Sequence, residues 1–188
     1  MEWKAENTLS LIALAGGLIA FLISLWQYRK AQLWKRAEWI AQEMKAFFND
    51  PMVQNTLIMV DWGKRRVQLF PQHEKYAERF VVVTDDDIKM ALMPHEERQG
   101  FTESEAAIRD CFDKFLDGLE RYSSYVATEL VEIKDLAPYL SYWCYHITQA
   151  KPEDATVKRL VQLKAYMARY GFNGASNLIK KIAPMYRI

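Results

Sequence analysis

The histidines and cysteines have the most distinctive chemistry in this chain, because both residue types bind zinc and can transfer protons. The three histidines are scattered along the sequence, at His73, His95 and His146. Cys144 precedes His146 by two residues, and residues two apart on a helix do not share a face. A structural His146 beside Tyr139 and Tyr142 fits this pattern better than a metal ligand. We therefore predict no metal site and no cofactor.

A row of carboxylates is the second candidate for metal chemistry. Acidic residues recur at steps of three and four along one predicted helix, at Asp110, Asp113, Asp117 and Glu120. Cations are interleaved with them, at Arg109, Lys114 and Arg121. Mixed charges of this kind are more typical of a solvated, salt-bridged helix face than of a metal site.

Familiar catalytic motifs are absent from the sequence, including GxxxxGK[ST], GxGxxG, HExxH, GxSxG and paired CxxC. The formal net charge of +1 also gives no general basic excess of the kind that nucleic-acid-binding proteins carry. A local basic group, Lys64, Arg65 and Arg66, follows Trp62 and Gly63 directly. This exposed basic group could contact lipid, nucleic acid or an acidic protein surface. Three charges alone do not distinguish among these partners.

An apolar segment without a charged residue runs from Thr8 to Trp26, and a bilayer needs roughly 17 to 25 such residues. We interpret it as a transmembrane helix, with residues 1–28 as the anchor and residues 29–188 as a cytoplasmic helical domain. The alternatives are a cleaved signal peptide and a buried core helix. A signal peptide fits less well because a basic start and a small-residue cleavage site are missing.

The charges beside this segment predict its orientation. Four cations follow it closely, at Arg29, Lys30, Lys35 and Arg36, whereas Lys4 and the terminal amine precede it. Because cations collect on the cytoplasmic side, we expect an inner-membrane protein with its N-terminus outside and its C-terminal domain in the cytoplasm. The four cations should contact lipid headgroups. Cys111 and Cys144 lack CxxC spacing and fit buried, reduced thiols, which agrees with that compartment.

Small residues line one side of the predicted span. They recur at steps of three and four, at Ser10, Ala13, Gly17, Ala20 and Ser24, while leucines cluster on another side. We call these five residues the seam. In a bilayer, close backbone packing and hydrogen bonds from serine drive helix association. With one span per chain the partner must be another chain, so the seam predicts a homo-oligomer.

The first predicted helix continues beyond the span. Apolar residues keep a helical period after it, at Leu33, Ala37, Ile40, Met44 and Phe47. About 40 residues at 1.5 Å each would give a rod of roughly 60 Å. Pro51 then opens a short helix through Met59, with Gly63 as a plausible C-cap.

The remaining sequence predicts mainly helices. Val67–Phe70 and Phe80–Thr84 are short β-type runs that leave room for a small hairpin. Thr84, followed by three aspartates, is typical of a helix N-cap, and we prefer this reading of the triplet to a metal site. Thr102 with Glu105 forms a second capping signal, before a long amphipathic helix.

Further amphipathic helices start near Asp135 and Pro152, and Gly171 ends the second of these. A last short helix from Asn173 to Ile182 follows. The predicted fold class is therefore mainly α: one N-terminal transmembrane helix that continues into a cytoplasmic helical bundle, with the small β-hairpin as an option.

Several segments of the cytoplasmic part resemble a group of small bacterial single-pass proteins of unknown function. The segments are Phe48–Asn55, Asp61–Trp62, Arg65–Val67, Ile108–Arg121 and Leu136–Leu140. The resemblance covers most of the cytoplasmic part and implies the same topology, but it assigns no activity.

By architecture alone, the chain also resembles the membrane accessory protein of type VI-B CRISPR systems, which implies oligomeric, pore-like assembly in antiviral defence. Arg66 and His73 form an R-x6-H pair that resembles the one in ribonucleases of the higher-eukaryote and prokaryote nucleotide-binding class. That resemblance implies catalysis on RNA by these two residues.

The leading hypothesis is a non-enzymatic membrane protein that self-associates through the seam and acts in assembly or as a pore-like effector. Its partners are membrane lipids and further copies of the chain, with a protein partner as an option and nucleic acid undecided. The alternatives are a membrane-tethered nuclease-like hydrolase that uses Arg66 and His73, and a monomeric anchor that recruits a soluble partner.

Overall fold

The structure is a computed structural model that describes residues 3–151 and 158–186, with side chains from residue 9 onward. The chain is 78% helical and contains seven α-helices and a two-stranded antiparallel sheet in the described ranges. The helices are α1 (Trp3–Asn49), α2 (Pro51–Asp61), α3 (Asp85–Ala91), α4 (Glu103–Ala127), α5 (Ile133–Gln149), α6 (Lys158–Tyr170) and α7 (Asn173–Ile182). The mainly helical fold predicted from the sequence is confirmed, including the hairpin. The predicted helix start at Pro152 lies outside the described residues.

The chain divides into two compact units, Met1–Ala41 and Gln42–Ile188. The first unit consists of the greater part of α1, which is one continuous helix of 47 residues. The second unit contains the last turns of α1, the sheet and the other helices. The prediction that the first helix runs past the apolar segment to Asn49 is confirmed.

Helix α2 begins where the sequence predicts. The carboxylate of Asp50 accepts a hydrogen bond from the backbone N–H of Met52 at 2.9 Å, and Pro51 occupies the first turn, where its missing N–H costs nothing. The prediction of Gly63 as C-cap is wrong. Trp62 is the capping residue, in an extended conformation, and its N–H donates to the carbonyl of Ile58 at 3.0 Å.

The hairpin consists of β1 (Lys64–Val67) and β2 (Val81–Thr84). Lys64 lies opposite Thr84 and Arg66 lies opposite Val82. The expected first strand, from Val67 to Phe70, is wrong by three residues, because the cations form the strand and Val67 ends it. Charged side chains are common on a short, exposed edge strand, where they oppose pairing with other chains.

The predicted N-caps of α3 and α4 are confirmed as capping boxes. Thr84 accepts from the N–H of Asp87, whose carboxylate accepts from the N–H of Thr84. Thr102 and Glu105 make the equivalent pair at the start of α4. Gly171 ends α6 with a φ of 78°, a left-handed conformation that favours glycine.

The core of the second unit is built around α4. This helix is amphipathic, as the sequence predicts. Five residues of its apolar face are buried, namely Ile108, Phe112, Phe115, Leu119 and Tyr122, while Val126 on the same face is half-buried. Near the end of α1, the ring of Phe47 packs against those of Phe115 and Tyr122, with centroids 5.9 and 5.3 Å apart. Gly118 lies directly beside Phe47 and leaves room for its ring.

Candidate functional site

The apolar part of α1 is the most unusual surface of the protein. From Leu9 onward, the helix contains a window with a mean hydropathy of 2.3 and none of its residues buried. Large side chains are widely exposed here, for example Ile12 at 69% and Leu14 at 71%. By length and composition, this helix is able to cross a membrane.

The five seam residues are all exposed along this part of α1. A Cβ built on Gly17 would have no neighbouring atom within 4 Å, so the backbone is open to close approach there. The hydroxyl of Ser24 donates to the carbonyl of Ala20 within the same helix, at 2.8 Å. This donor is therefore already satisfied within its own helix.

The cations that follow the apolar segment lie on the same helix. Arg29, Lys30 and Lys35 are exposed and Arg36 is half-buried. The ammonium of Lys30 lies 5.2 Å from the ring centroid of Trp26, a cation–π contact. This pair places an indole and a cation together at the end of the apolar segment, as is typical of a membrane interface.

A second basic surface is built by the hairpin. Lys64, Arg65 and Arg66 are exposed, and none of them forms a salt bridge within the described residues. The guanidinium of Arg65 lies over the ring of Trp62, at 4.9 Å from its centroid. Trp62 is itself 51% exposed. The surface therefore presents cations and an indole side by side.

The structure places Arg66 and His73 in different surroundings. Arg66 lies on β1 with its guanidinium 4.7 Å from the ring centroid of Phe80. His73 follows β1 in the connecting loop, where its ring stacks on Phe70 with centroids 5.0 Å apart. Arg79 donates from Nε to the carbonyl of His73 at 2.6 Å. Within the described residues, no hydrogen bond or ring contact joins Arg66 to His73, so each is held by its own aromatic partner.

The carboxylate row on α4 is partly used for packing. Asp113 accepts a hydrogen bond from the hydroxyl of Tyr166, and burial raises the pKa of its carboxyl. Glu120 accepts from the backbone N–H of Ala175 in the first turn of α7, at 2.9 Å. In the described part of the chain, no three His, Cys, Asp or Glu side chains are grouped to hold a metal ion.

Arg109 is a buried residue that the sequence pattern assigned wrongly to a solvated face. It is only 8% exposed and donates to the carbonyls of Ala91 and Met93, at 3.2 and 3.1 Å. Its guanidinium is surrounded by three rings, those of Phe101, Tyr166 and Tyr170, at 5.1, 4.8 and 4.8 Å. The available signal was its spacing, because Arg109 precedes the buried Phe112 by three residues and so shares its helix face.

Arg159 is a second buried arginine, and it joins three elements of the second unit. Its Nε and Nη2 donate to the carbonyl of Val60 in the last turn of α2, at 3.2 and 3.0 Å. Nη1 donates to the carboxylate of Asp85 in the first turn of α3, at 3.1 Å. Asp85 in turn donates from its backbone N–H to the carbonyl of Gly63, at 3.1 Å. Arg159 therefore joins the two helices that flank the hairpin in the chain.

The two thiols are buried, and His146 packs against a tyrosine. Cys111 and Cys144 are buried and free, as predicted, and burial raises the pKa of each thiol to about 12. Both are therefore protonated at neutral pH, and the thiolate is the nucleophile of cysteine chemistry. His146 is exposed and packs on Tyr142 with ring centroids 4.4 Å apart, which confirms the predicted contact with Tyr142.

No protein-family model, curated protein or solved structure matches this chain. The class that its own features define is a helical domain preceded by a long helix, which carries an exposed apolar segment of membrane-spanning length. Two basic surfaces with adjacent indoles belong to this arrangement, one after the apolar segment and one on the hairpin.

Proposed function

We propose that this chain is a single-pass membrane protein that self-associates through the seam and acts as a non-enzymatic assembly protein. Residues 1–28 form the anchor, with the N-terminus outside, and residues 29–188 form the domain in the cytoplasm. The observation that carries the proposal is the exposed apolar part of α1. A pore-like complex is one form that such an oligomer can take.

The case for anchoring comes from the cost of leaving this surface in water. Burying a Leu, Ile or Phe side chain is worth about 1.5 to 3 kcal/mol each, and such residues dominate the exposed surface between Leu9 and Leu25. A continuous exposed apolar surface of this kind is normally buried against lipid or protein. Lipid covers it along the whole segment, since the segment has membrane-spanning length.

The case for orientation comes from the cations after the segment. Arg29, Lys30 and Lys35 are exposed beside its end, and an excess of such charges is typical of the cytoplasmic side. Free, buried thiols at Cys111 and Cys144 are compatible with a reducing compartment.

The case for self-association comes from the shape of the seam. Gly17 lies at its centre with open space around its Cα, so a second helix can approach the backbone closely. In lipid, leucine gains little by contacting leucine, whereas close packing at small residues favours association. We include no catalytic step because Arg66 and His73 are held by different aromatic rings.

The test is the mass of the full-length protein in mild detergent, measured by light scattering with correction for bound detergent. We expect a defined oligomer. Gly17→Leu should weaken association roughly tenfold or more, because overpacking at a close contact costs about 1 to 3 kcal/mol. Ile19→Phe is the matched control, since it adds bulk two residues further on, away from the seam.

Two results would contradict the proposal. Extraction of the wild-type protein from membranes by alkaline carbonate would exclude a transmembrane anchor. A monomer, or an oligomer that Gly17→Leu leaves unchanged, would exclude the seam and favour the monomeric tether that recruits a soluble partner.

A further inference from the structure

The hairpin presents an unusual combination of side chains on its outer face. Lys64 and Arg66 alternate with the inward-facing Val67 and Val83, so both cations point away from the core. Val82, the partner of Arg66 in the sheet, is 52% exposed on the same face. Trp62, which precedes the strand, is 51% exposed. The outer face is therefore cationic and apolar, and an exposed indole precedes it in the chain.

We propose that the exposed surface of the hairpin binds the anionic surface of the membrane in which the chain is anchored. Lys64, Arg66 and Val82 form its outer face. Arg65 lies opposite the buried Val83, on the other side of the sheet, but is itself exposed and adds its charge beside Trp62. The inference rests on the proposed membrane anchoring and deepens it, because it assigns a lipid contact to the cytoplasmic domain as well as to the helix.

Charge complementarity is the first step. Lys64, Arg65 and Arg66 have no salt-bridge partner among the described residues, whereas other cations of the domain, such as Lys75 and Arg98, are paired with carboxylates. Unpaired cations near an anionic leaflet are attracted to it within about one Debye length. The chain as a whole has a formal net charge of +1, so this attraction is local to the face.

The aromatic and apolar side chains select the membrane over nucleic acid. Arg65 covers the ring of Trp62 and Arg66 covers that of Phe80, at 4.9 and 4.7 Å. A ring covered by a guanidinium is less open to stacking by a base, which is the main contact in single-strand recognition. An indole beside cations, with an exposed valine, is instead suited to the headgroup level of a bilayer.

The anchor makes such a small face sufficient. Three cations and one indole would hold a free protein on a membrane only weakly, since stable membrane binding takes two signals. In a chain that is already anchored in that membrane, the lipid headgroups are present at a high effective concentration. A weak contact can therefore form without the cost of bringing the protein to the membrane. We therefore expect the hairpin to contact lipid whenever the leaflet is anionic.

The experiment uses the full-length protein in nanodiscs of phosphatidylcholine alone or of phosphatidylcholine with phosphatidylglycerol. Val82→Cys supplies a label site for an environment-sensitive fluorophore, because Cys111 and Cys144 are buried and their thiols are protonated. We expect a blue shift, and quenching by brominated lipid, in the anionic discs only. High salt should reverse both signals.

The charge variant Lys64→Gln with Arg66→Gln, which removes both cations of the outer face, should abolish this response. Its matched control is Lys180→Gln with Lys181→Gln, which removes two adjacent exposed cations from α7 and should leave the response intact. Circular dichroism of each variant should match that of the parent and so report an intact fold.

Each other outcome would overturn the inference in a different way. Identical fluorescence in both discs, with the protein resistant to carbonate extraction, would reject the lipid contact and leave the anchor in place. Failure to insert into the discs would reject the anchor itself. A response to single-stranded RNA added to neutral discs, without one to anionic lipid, would assign the face to nucleic acid.

Discussion

At the scale of single residues, two glycines on helices have opposite roles. Gly17 faces open space, where a side chain meets nothing in the same chain. Gly118 faces the ring of Phe47. Because Gly118 has no Cβ, α4 and the end of α1 can pack closely there. Glycine weakens a helix by about 1 kcal/mol relative to alanine. We therefore expect close packing to be the reason for glycine at both positions.

We expect Gly118→Ala to lower the free energy of unfolding by about 1 to 3 kcal/mol. A Cβ at this position would overlap Cε2 of Phe47 and lie 2.9 Å from its Cδ2. The ring cannot move away easily, because it packs against Phe115 and Tyr122. Urea denaturation, followed by the loss of helical circular dichroism, measures the change.

A double-mutant cycle tests the cause. In a Phe47→Leu background, where the clash is relieved, Gly118→Ala should cost less than it does alone. Equal costs in both backgrounds would mean that the contact with Phe47 is not the reason for glycine at this position.

At the scale of elements, the two helices that flank the hairpin are joined by Arg159, which reaches them from α6. The last carbonyls of a helix lack partners within that helix, and Arg159 donates twice to one of them, that of Val60. The same guanidinium pairs with Asp85 at the start of α3, where the helix also favours a carboxylate. One side chain thus joins the end of α2, the start of α3 and α6.

Arg159→Met should lower the free energy of unfolding by roughly 2 to 4 kcal/mol, because it removes one partner of a buried ion pair and leaves a carbonyl without its donor. Lys158→Met is the control, since Lys158 is exposed and the neighbouring residue, and surface changes usually stay within about 0.5 kcal/mol. Thermal and urea unfolding measure both. Equal stabilities of the two variants would show that Arg159 is not needed to hold these elements.

Local signals predicted the ends of the elements far better than the contacts between them. Thr84, Thr102 and Gly171 act on backbone groups within a few residues, so each could be identified from its neighbours in sequence. Arg109 and Arg159 could not, since their partners come from distant segments. The rings of Tyr166 and Tyr170, for example, reach Arg109 from α6.

The same limit applies to the candidate sites. The seam and the cations beside it follow from period and composition along one helix. The basic face of the hairpin required the strand register, since the sequence placed the first strand three residues too late and left the basic group before it. Only with Arg66 opposite Val82 does an exposed cationic and apolar face result.

At the scale of the whole molecule, the central question raised by the proposed anchor is on which side of the membrane the helical domain lies. The proposed orientation depends on Arg29, Lys30, Lys35 and Arg36, because cations near the end of a span are retained on the cytoplasmic side. The domain itself gives a convenient background for a test, since its two native thiols are buried.

We expect a membrane-impermeant maleimide to label Glu6→Cys in intact cells and to leave Lys45→Cys unlabelled. Lys45 lies beyond the span on an exposed position of α1, so its cysteine should become reactive only in inside-out vesicles. The parent chain, without an added cysteine, is the control for labelling at Cys111 and Cys144. The reverse pattern would place the domain outside the cell, where the proposed contact between the hairpin and an anionic cytoplasmic leaflet could not form.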